Sequence, residues 1–310
     1  MGKTPFPIDP VMTAIVIAYR NAKLIADEVL PRHPVGKVEF KWLKHTLAEG
    51  FTIPNTLVGR KGSPNEVNFS ATEETSSCLD YGLEDKIPQS DIDNAPANYD
   101  PKNRSAEGLM DLVLLDREVR TADLVFNADS YAAGYKGALS GSDQFSDFVG
   151  SDPIETIMDA LDSMLMRGNV AVMGRAVFSA LSRHPKVVKA VHGNSGDAGI
   201  ATRRQIAELF ELEDVLVGEA YLNTSGKGEE VALSRVWGKH MSLIYRDRMA
   251  GPNNNRMSFG FTAQFGTRLA GSEPDSGIGL RGGHRIVVGE TVKEVITSDM
   301  LGYFIQNAVA

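Results

Sequence analysis

Apolar positions along the chain fall into runs of two different periods. In "KVEFKWLKH" Val38, Phe40 and Trp42 alternate with Lys37, Glu39 and Lys41, and in "MSFGFTAQF" Phe259, Phe261, Ala263 and Phe265 lie to one side. Both are the period-two pattern of a half-buried strand. In "SAEGLMDLVLLDREVRTADLVF", residues 105–126, Leu112, Leu115, Val119, Ala122 and Phe126 recur at steps of three and four behind a Ser105 cap. That spacing predicts a helix on the order of 30 Å long at about 1.5 Å per residue, enough to serve as a structural spine. A second helix is predicted in "SDPIETIMDALDSMLMRG" from residue 151, with Asp152 as cap, Pro153 at the first helical position, Glu155 where a capping box places it, and Gly168 as the stop. Its apolar face, Ile154, Ile157, Met158, Leu161, Met164 and Leu165, reads as core.

The remaining segments are shorter or less regular. "MGKTPFPIDP" holds three prolines and no period, so residues 1–10 read as an arm without a core of its own, followed by a predicted helix over 11–29. "FTIPNTLVGRKGSPNEVNFSATEETSSCLDYGLEDKIP" places strand-like runs on both sides of "GRKGSP" and predicts a long β-hairpin with a charged tip. A two-stranded ribbon is marginal alone in water, so it lies either on its own body or across another subunit, and the sequence leaves both open. "NVAVMG" reads as a buried strand and "RAVFSALSRHP" as a short helix stopped by Pro185. Thr202 and Gln205 stand in the S/T-x-x-E/Q relation before Ile206, Leu209 and Phe210, which makes "GNSGDAGIA" a loop entering a capped helix of about nine residues. "DVLVGEAYL" and "RVWGKHMSLIYRD" are strand candidates, "RMAGPNNNR" a loop, and "HRIVVGETVKEVIT" two strands meeting near Gly289 and Glu290. An apolar segment, "SDMLGYFIQNAVA", closes the chain.

Composition narrows the functional classes. At 310 residues, 42% hydrophobic and 23% charged, the chain has an ordinary globular make-up, and a net charge of −8 makes any contact with nucleic acid local or absent. Cys78 is the one cysteine, which excludes an internal disulfide and multi-cysteine metal sites and fits a reducing compartment. "PVMTAIVIAYRNAKLIADEVLP" is interrupted by Arg20, Lys23, Asp27 and Glu28, short of the roughly 20 apolar residues of a membrane span. The expected location is therefore the cytoplasm. Ser195 in "GNSGD" lacks the following glycine of a hydrolase elbow and sits in a loop, so a hydrolase pairing it with a histidine is a weak rival, as is a plain binding module. "GIGLRG", residues 277–282, has the letters of a dinucleotide loop but precedes the strand "HRIVV" where that chemistry needs a helix. His33, His45, His184, His192, His240 and His284 show no pair at metal-ligand spacing. No enzyme, cofactor or metal is expected.

The segments "LMDLVLLDREVRTADLVFNADSY", "SGSDQFSDFVGSDPIETI", "NVAVMGRAVFSALSRHPKV", "IATRRQIAELFELEDVLVGEAYLNT" and "SRVWGKHMSLIYRD", in this order over residues 105–247, resemble the major capsid proteins of tailed bacteriophages. The resemblance implies an α+β tailed-phage major capsid fold, shared with encapsulins. Its parts would be an N-terminal arm at 1–36, an extended β-hairpin loop at 37–94, a discontinuous peripheral domain with the long spine helix at 95–150 and 265–310, and an axial domain at 151–264. The loops containing Ser195 and Asn253 to Asn255 become candidate axial tips. It further implies a virion subunit, assembled in the host cytoplasm, that forms the pentamers and hexamers of an icosahedral head. Implied partners are copies of itself, a separate scaffolding protein, a portal protein at one vertex, an optional decoration protein, and double-stranded DNA enclosed without sequence-specific binding; no membrane is implied. An encapsulin-like protein compartment is the alternative. Candidate interface residues are Phe6, Trp42, Arg60 and Lys61 in the arm and extended loop, and Arg117, Glu118 and Arg120 on the spine helix, each with an ordinary role inside one subunit as the competing expectation.

Overall fold

A computed structural model describes residues 6–19, 21, 23–44, 53–60, 62–66, 72–193, 199–226, 228–252 and 256–310. Its elements run α1 (Pro10–Ala18), α2 (Ala26–Val29), β1 (Arg32–Val35), β2 (Glu39–Lys44), β3 (Thr72–Ser77), β4 (Leu79–Pro88), α3 (Gln89–Asp93), α4 (Pro101–Val125), β5 (Lys136–Ala138), α5 (Pro153–Ser163), β6 (Val170–Gly174), α6 (Arg175–Leu181), α7 (Pro185–His192), α8 (Arg203–Leu209), β7 (Asp214–Gly218), β8 (Tyr221–Asn223), β9 (Leu233–Arg235), β10 (Met241–Ile244), β11 (Gly260–Asp275), β12 (Gly283–Ile296) and β13 (Gly302–Gln306). Two sheets organise them. One has the order β1-β11-β12-β4 and packs against α1 and α4; the other has the order β5-β13-β10-β6-β7 and packs against α5 to α8. The strands at 136–138 and 302–306, which the family template assigns to the peripheral part, lie in the second sheet with residues 170–244.

Helix α4 is the spine, 25 residues and so roughly 37 Å long. It begins ahead of Ser105, because the Asp100 carboxylate accepts from the Lys102 N–H and Pro101 fills the first helical position. Ser105 donates instead to Asp85. The buried face also differs from the apolar stripe read in the sequence. It runs through Ala106, Leu109, Met110, Val113, Leu114, Arg117, Glu118, Thr121, Ala122 and Val125, whereas Leu112 is 55% exposed. A period that counts only apolar side chains misplaces a helix whose buried face carries two charges.

The helix expected over 11–29 is two helices. The Asn21 amide donates to Asp111 and its side-chain oxygen accepts from the Lys23 N–H, and the chain turns there before α2. The ribbon differs as well: β2 pairs with β3, while residues 53–60 form no strand, so the limb paired with β3 lies at 39–44. Phe40 and Trp42 pack into a cluster with Val35, Cys78, Phe261, Ala263 and Val295, but Val38 is exposed.

The run 283–296 is one strand where two were expected. Gly289 pairs across to both Leu269 and Gly82, and a Cβ there would lie 2.8 Å from the Tyr81 carbonyl oxygen. That glycine permits close strand approach and makes no turn. "DVLVGEAYL" and "RVWGKHMSLIYRD" each divide, into β7 with β8 and β9 with β10, around Trp237, whose side chain is fully buried. The helix at 151–168 ends at Ser163, and the Thr202–Gln205 capping box opens α8 as expected.

A Cβ at Gly218 would lie 2.0 Å from the Trp237 ring, whereas one at Gly108, in mid-helix, meets nothing within 4 Å. Gly218→Ala is therefore expected to destabilise the unassembled subunit by about 1–3 kcal/mol or more through overpacking, and Gly108→Ala to stabilise it by about 0.5–1 kcal/mol through helix propensity. Urea unfolding of both variants checks the opposite signs.

Candidate functional site

The spine helix carries a carboxylate that water does not reach. Glu118 is fully buried and accepts from the Ile25 and Ala26 N–H groups, at 3.0 and 2.8 Å, and from the Trp237 indole N–H. Burial pushes its carboxyl above the usual range, against the pull of those three donors. One side chain on α4 thus fixes the first amides of α2 and the loop before β10.

Arg117, beside it, is equally enclosed. Its guanidinium pairs with Asp27, donates to Thr262 Oγ1 at 2.9 Å and to the Leu30 carbonyl at 3.3 Å, and lies 3.5 Å from Glu294. Arg32 spans Asp27 and Glu290, at 2.6 and 2.7 Å, and Arg268 joins Glu290 at 3.3 Å while donating to the Val16 and Tyr19 carbonyls. Arg120 pairs with Asp116 and Glu294 and stacks 3.5 Å above the Tyr81 ring. Four carboxylates, Asp27, Asp116, Glu290 and Glu294, pair with the four guanidiniums of Arg32, Arg117, Arg120 and Arg268, and Glu118 lies beside them on α4. Burial works to raise the Asp27 carboxyl, but Arg117 and Arg32 outweigh it and hold it at about 2.

The candidate residues therefore separate. Arg117, Glu118 and Arg120 come together in this internal network, and Trp42 lies in the cluster under the ribbon. Phe6 is half-buried against Gly271, where a Cβ would lie 2.5 Å from its ring. Arg60 is exposed in a segment, 53–60, that is exposed throughout, with Ile53 at 91% and Leu57 at 82%. Lys61, Ser195 and Asn253 to Asn255 lie outside the described residues. Sequence reasoning missed Asp27, Arg32, Trp237, Arg268, Glu290 and Glu294. A signal existed for two: Glu290 and Glu294 share the period-two face of Ile286, Val288 and Val292, which marks them as inward-facing acids.

The buried pair of Ser151 and His184 is not arranged as a nucleophile and its base. His184 Nδ1 accepts from the Lys186 N–H, so Nε2 donates to Ser151 Oγ at 3.1 Å, and that hydroxyl donates to the Asp147 carbonyl. A general base needs the reverse direction. "GIGLRG" forms the turn between β11 and β12, with Gly279 and Gly282 at positive φ and no helix following. Among the described residues no three of His, Cys, Asp and Glu gather as a metal site, and no helix is long and apolar enough to cross a membrane.

Residues 139–229 match the family described as phage major capsid protein E. Across its whole length the chain is 56% identical to the major capsid protein of Pseudomonas phage JBD67, covering all of that protein too. The chain belongs to the phage major capsid proteins. Among solved structures, this capsid chain is similar to a phage-related protein from Bordetella bronchiseptica, at TM-score 0.76 and 24% identity over 98% of this chain and 99% of the other. It also resembles the capsid of the cyanophage P-SCSP1u, at TM-score 0.56 and 8% identity over 93% and 89% of the two chains. Its mixed helix-and-sheet architecture is thus the phage capsid fold.

Two predictions follow for the capsid subunit. Glu118→Ala leaves three buried donors without an acceptor and should cost about 3–5 kcal/mol in denaturant unfolding of the soluble subunit. Asp27 is held at about 2 against an ordinary 3.8, so its stabilisation is complete above the higher value and lost as pH falls through the lower one. The stability gap between the parent and Asp27→Asn should therefore be constant above about pH 5 and close as pH falls from about 4 towards 2, as acid-titrated unfolding will measure.

Proposed function

We propose that this chain forms the pentamers and hexamers of an icosahedral phage head, assembled in the host cytoplasm and enclosing double-stranded DNA without sequence-specific contacts. The observation that carries the reading is the segment 53–60, whose apolar Ile53 and Leu57 are exposed on the single subunit. Burying such groups against a neighbour is favourable by roughly 1.5–3 kcal/mol per side chain, and the subunit's own body does not supply that burial. Phe6, Arg60 and Lys61 are the interface residues this reading keeps from the arm and extended loop. The enclosed Trp42, Arg117, Glu118 and Arg120 would act on the interface by holding the frame from which those segments leave.

The division into arm at 1–36, extended loop at 37–94, peripheral part and axial part belongs to the same proposal. The two sheets support it as the frames of the last two, with 136–138 and 302–306 joining the axial frame. A scaffolding protein, a portal protein at one vertex and an optional decoration protein complete the expected partners. An encapsulin-like compartment is the lesser reading, because the full-length identity runs to a phage capsid protein.

Expression with a scaffolding protein should yield closed shells in negative-stain microscopy, and a chain that stays monomeric at every concentration would reject the proposal. Ile53→Asp with Leu57→Asp should change subunit stability by no more than about 0.5 kcal/mol, since both sites are exposed, yet sharply lower the yield of shells. Thermal unfolding and sedimentation separate those two effects.

A further inference from the structure

Strand β4 is a long edge with no further strand beside it among the described residues. It pairs with β12 along ten residues, from Leu79 to Pro88, and lies at the end of its sheet. Among the described residues no backbone group of 79–87 bonds to any partner other than β12. Alternate N–H and C=O groups therefore point outward, the arrangement that folded proteins ordinarily shorten, cover or pair. Tyr81 and Ile87 are held on the α4 side of the sheet, Tyr81 under Arg120 and Ile87 in the core. Leu79 and Leu83 share that side by the two-residue period yet are exposed.

The segment 53–58, "IPNTLV", is the complementary piece. Ile53, Thr56 and Val58 favour strands, and among the described residues the hydrogen bonds of the segment are local or to Asn65: the Leu57 N–H to the Asn55 side chain, and the Asn65 amide to the Asn55 carbonyl. In an extended conformation Ile53 and Leu57 fall on one side, four residues apart, the spacing of Leu79 and Leu83. The charges also match. Asp80, Glu84 and Asp85 outnumber the single basic residue of β4, the exposed Lys86, and Arg60 follows the segment; Asp80 accepts from Thr291, Asp85 from Ser105, and Glu84 lies 3.8 Å from Arg285 and is half exposed. Pro54 lacks an N–H, which an outermost strand tolerates.

We infer that residues 53–58 of one copy add as a fifth strand to the β4 edge of a second copy, with Ile53 and Leu57 against Leu79 and Leu83 and with Arg60 drawn to the acidic rim. The inference rests on shell assembly and names which surfaces meet in it.

Cross-linking of assembled shells tests it. Leu57→Cys is combined with Leu79→Cys or with Leu83→Cys, the two choices covering parallel and antiparallel pairing, and a disulfide forms only where Cα atoms lie about 4.4–6.8 Å apart. Oxidised shells of one of these variants should give a ladder of linked subunits on non-reducing gels, and Leu57→Cys alone should not. Intact shells with no ladder from either pair overturn the strand addition while leaving capsid assembly standing, whereas a parent chain that forms no shell overturns the capsid reading itself. Amide hydrogen exchange of the unsubstituted protein decides the case if the cysteine variants do not assemble. Residues 53–58 and 79–87 should exchange roughly tenfold or more slowly in shells than in free subunits, and unchanged rates reject the inference.

Discussion

The subunit's architecture depends on placing the Glu118 carboxylate out of water. A buried charge is tolerated only where every oxygen finds a donor, and here the donors are two backbone amides from the N-terminal segment and one indole from the loop before β10. The chain between α1 and β1 therefore leaves the helix to deliver Ile25 and Ala26, and it re-enters the sheet with β1 paired to β11. Arg117 closes the same segment from the other side through Asp27 and the Leu30 carbonyl. Such a network contributes little net stability compared with an apolar core of the same volume. It penalises every arrangement in which one partner is missing, and so selects one geometry.

That selection matters for a capsid protein because the geometry of each subunit is repeated around the shell. Arg32, Arg268, Glu290 and Glu294 extend the network across β11 and β12, so buried ion pairs tie the arm, the spine helix and the sheet together. A rigid frame loses little conformational freedom on association, which leaves more of each contact's energy for assembly. The exposed segment 53–60 has the opposite character: bare apolar side chains and local hydrogen bonds.

Much of this was legible in the sequence, and the failures share a cause. The caps at Asp152 and Thr202, the buried strand at 170–174 and the alternation through Phe259, Phe261 and Ala263 follow from local rules, and the structure has them. The spine helix was visible, but its buried face was not, because Arg117 and Glu118 occupy positions that apolar counting assigns to solvent. Gly289 read as a turn because glycine's two uses, sharp turning and close packing, have the same letter; only the neighbouring strands distinguish them. The two limbs of the ribbon, 39–44 and 72–77, are far apart in sequence, and nothing local in either strand specifies the pairing. As for the candidate interface residues, sequence chose charged and aromatic side chains on the arm, the extended loop and the spine helix. It had no means of telling a charge spent inside the subunit from one left outside.

That last distinction bears on how the molecule is divided between stability and assembly. The guanidiniums at 32, 117 and 268 already hold carboxylates and carbonyls within the subunit, so a neighbour would have to break buried pairs to use them, at a cost several times what an exposed pair returns. Groups available to neighbours are those whose internal partners are few, on the bare loop and the unpaired edge. Contacts built from them are individually weak, and they become a container only because every added copy meets several already in place. On the contact proposed above, strong, singular interactions lie within the subunit and weaker, repeated ones between subunits, and a head-to-tail contact of that kind closes when its rotation allows.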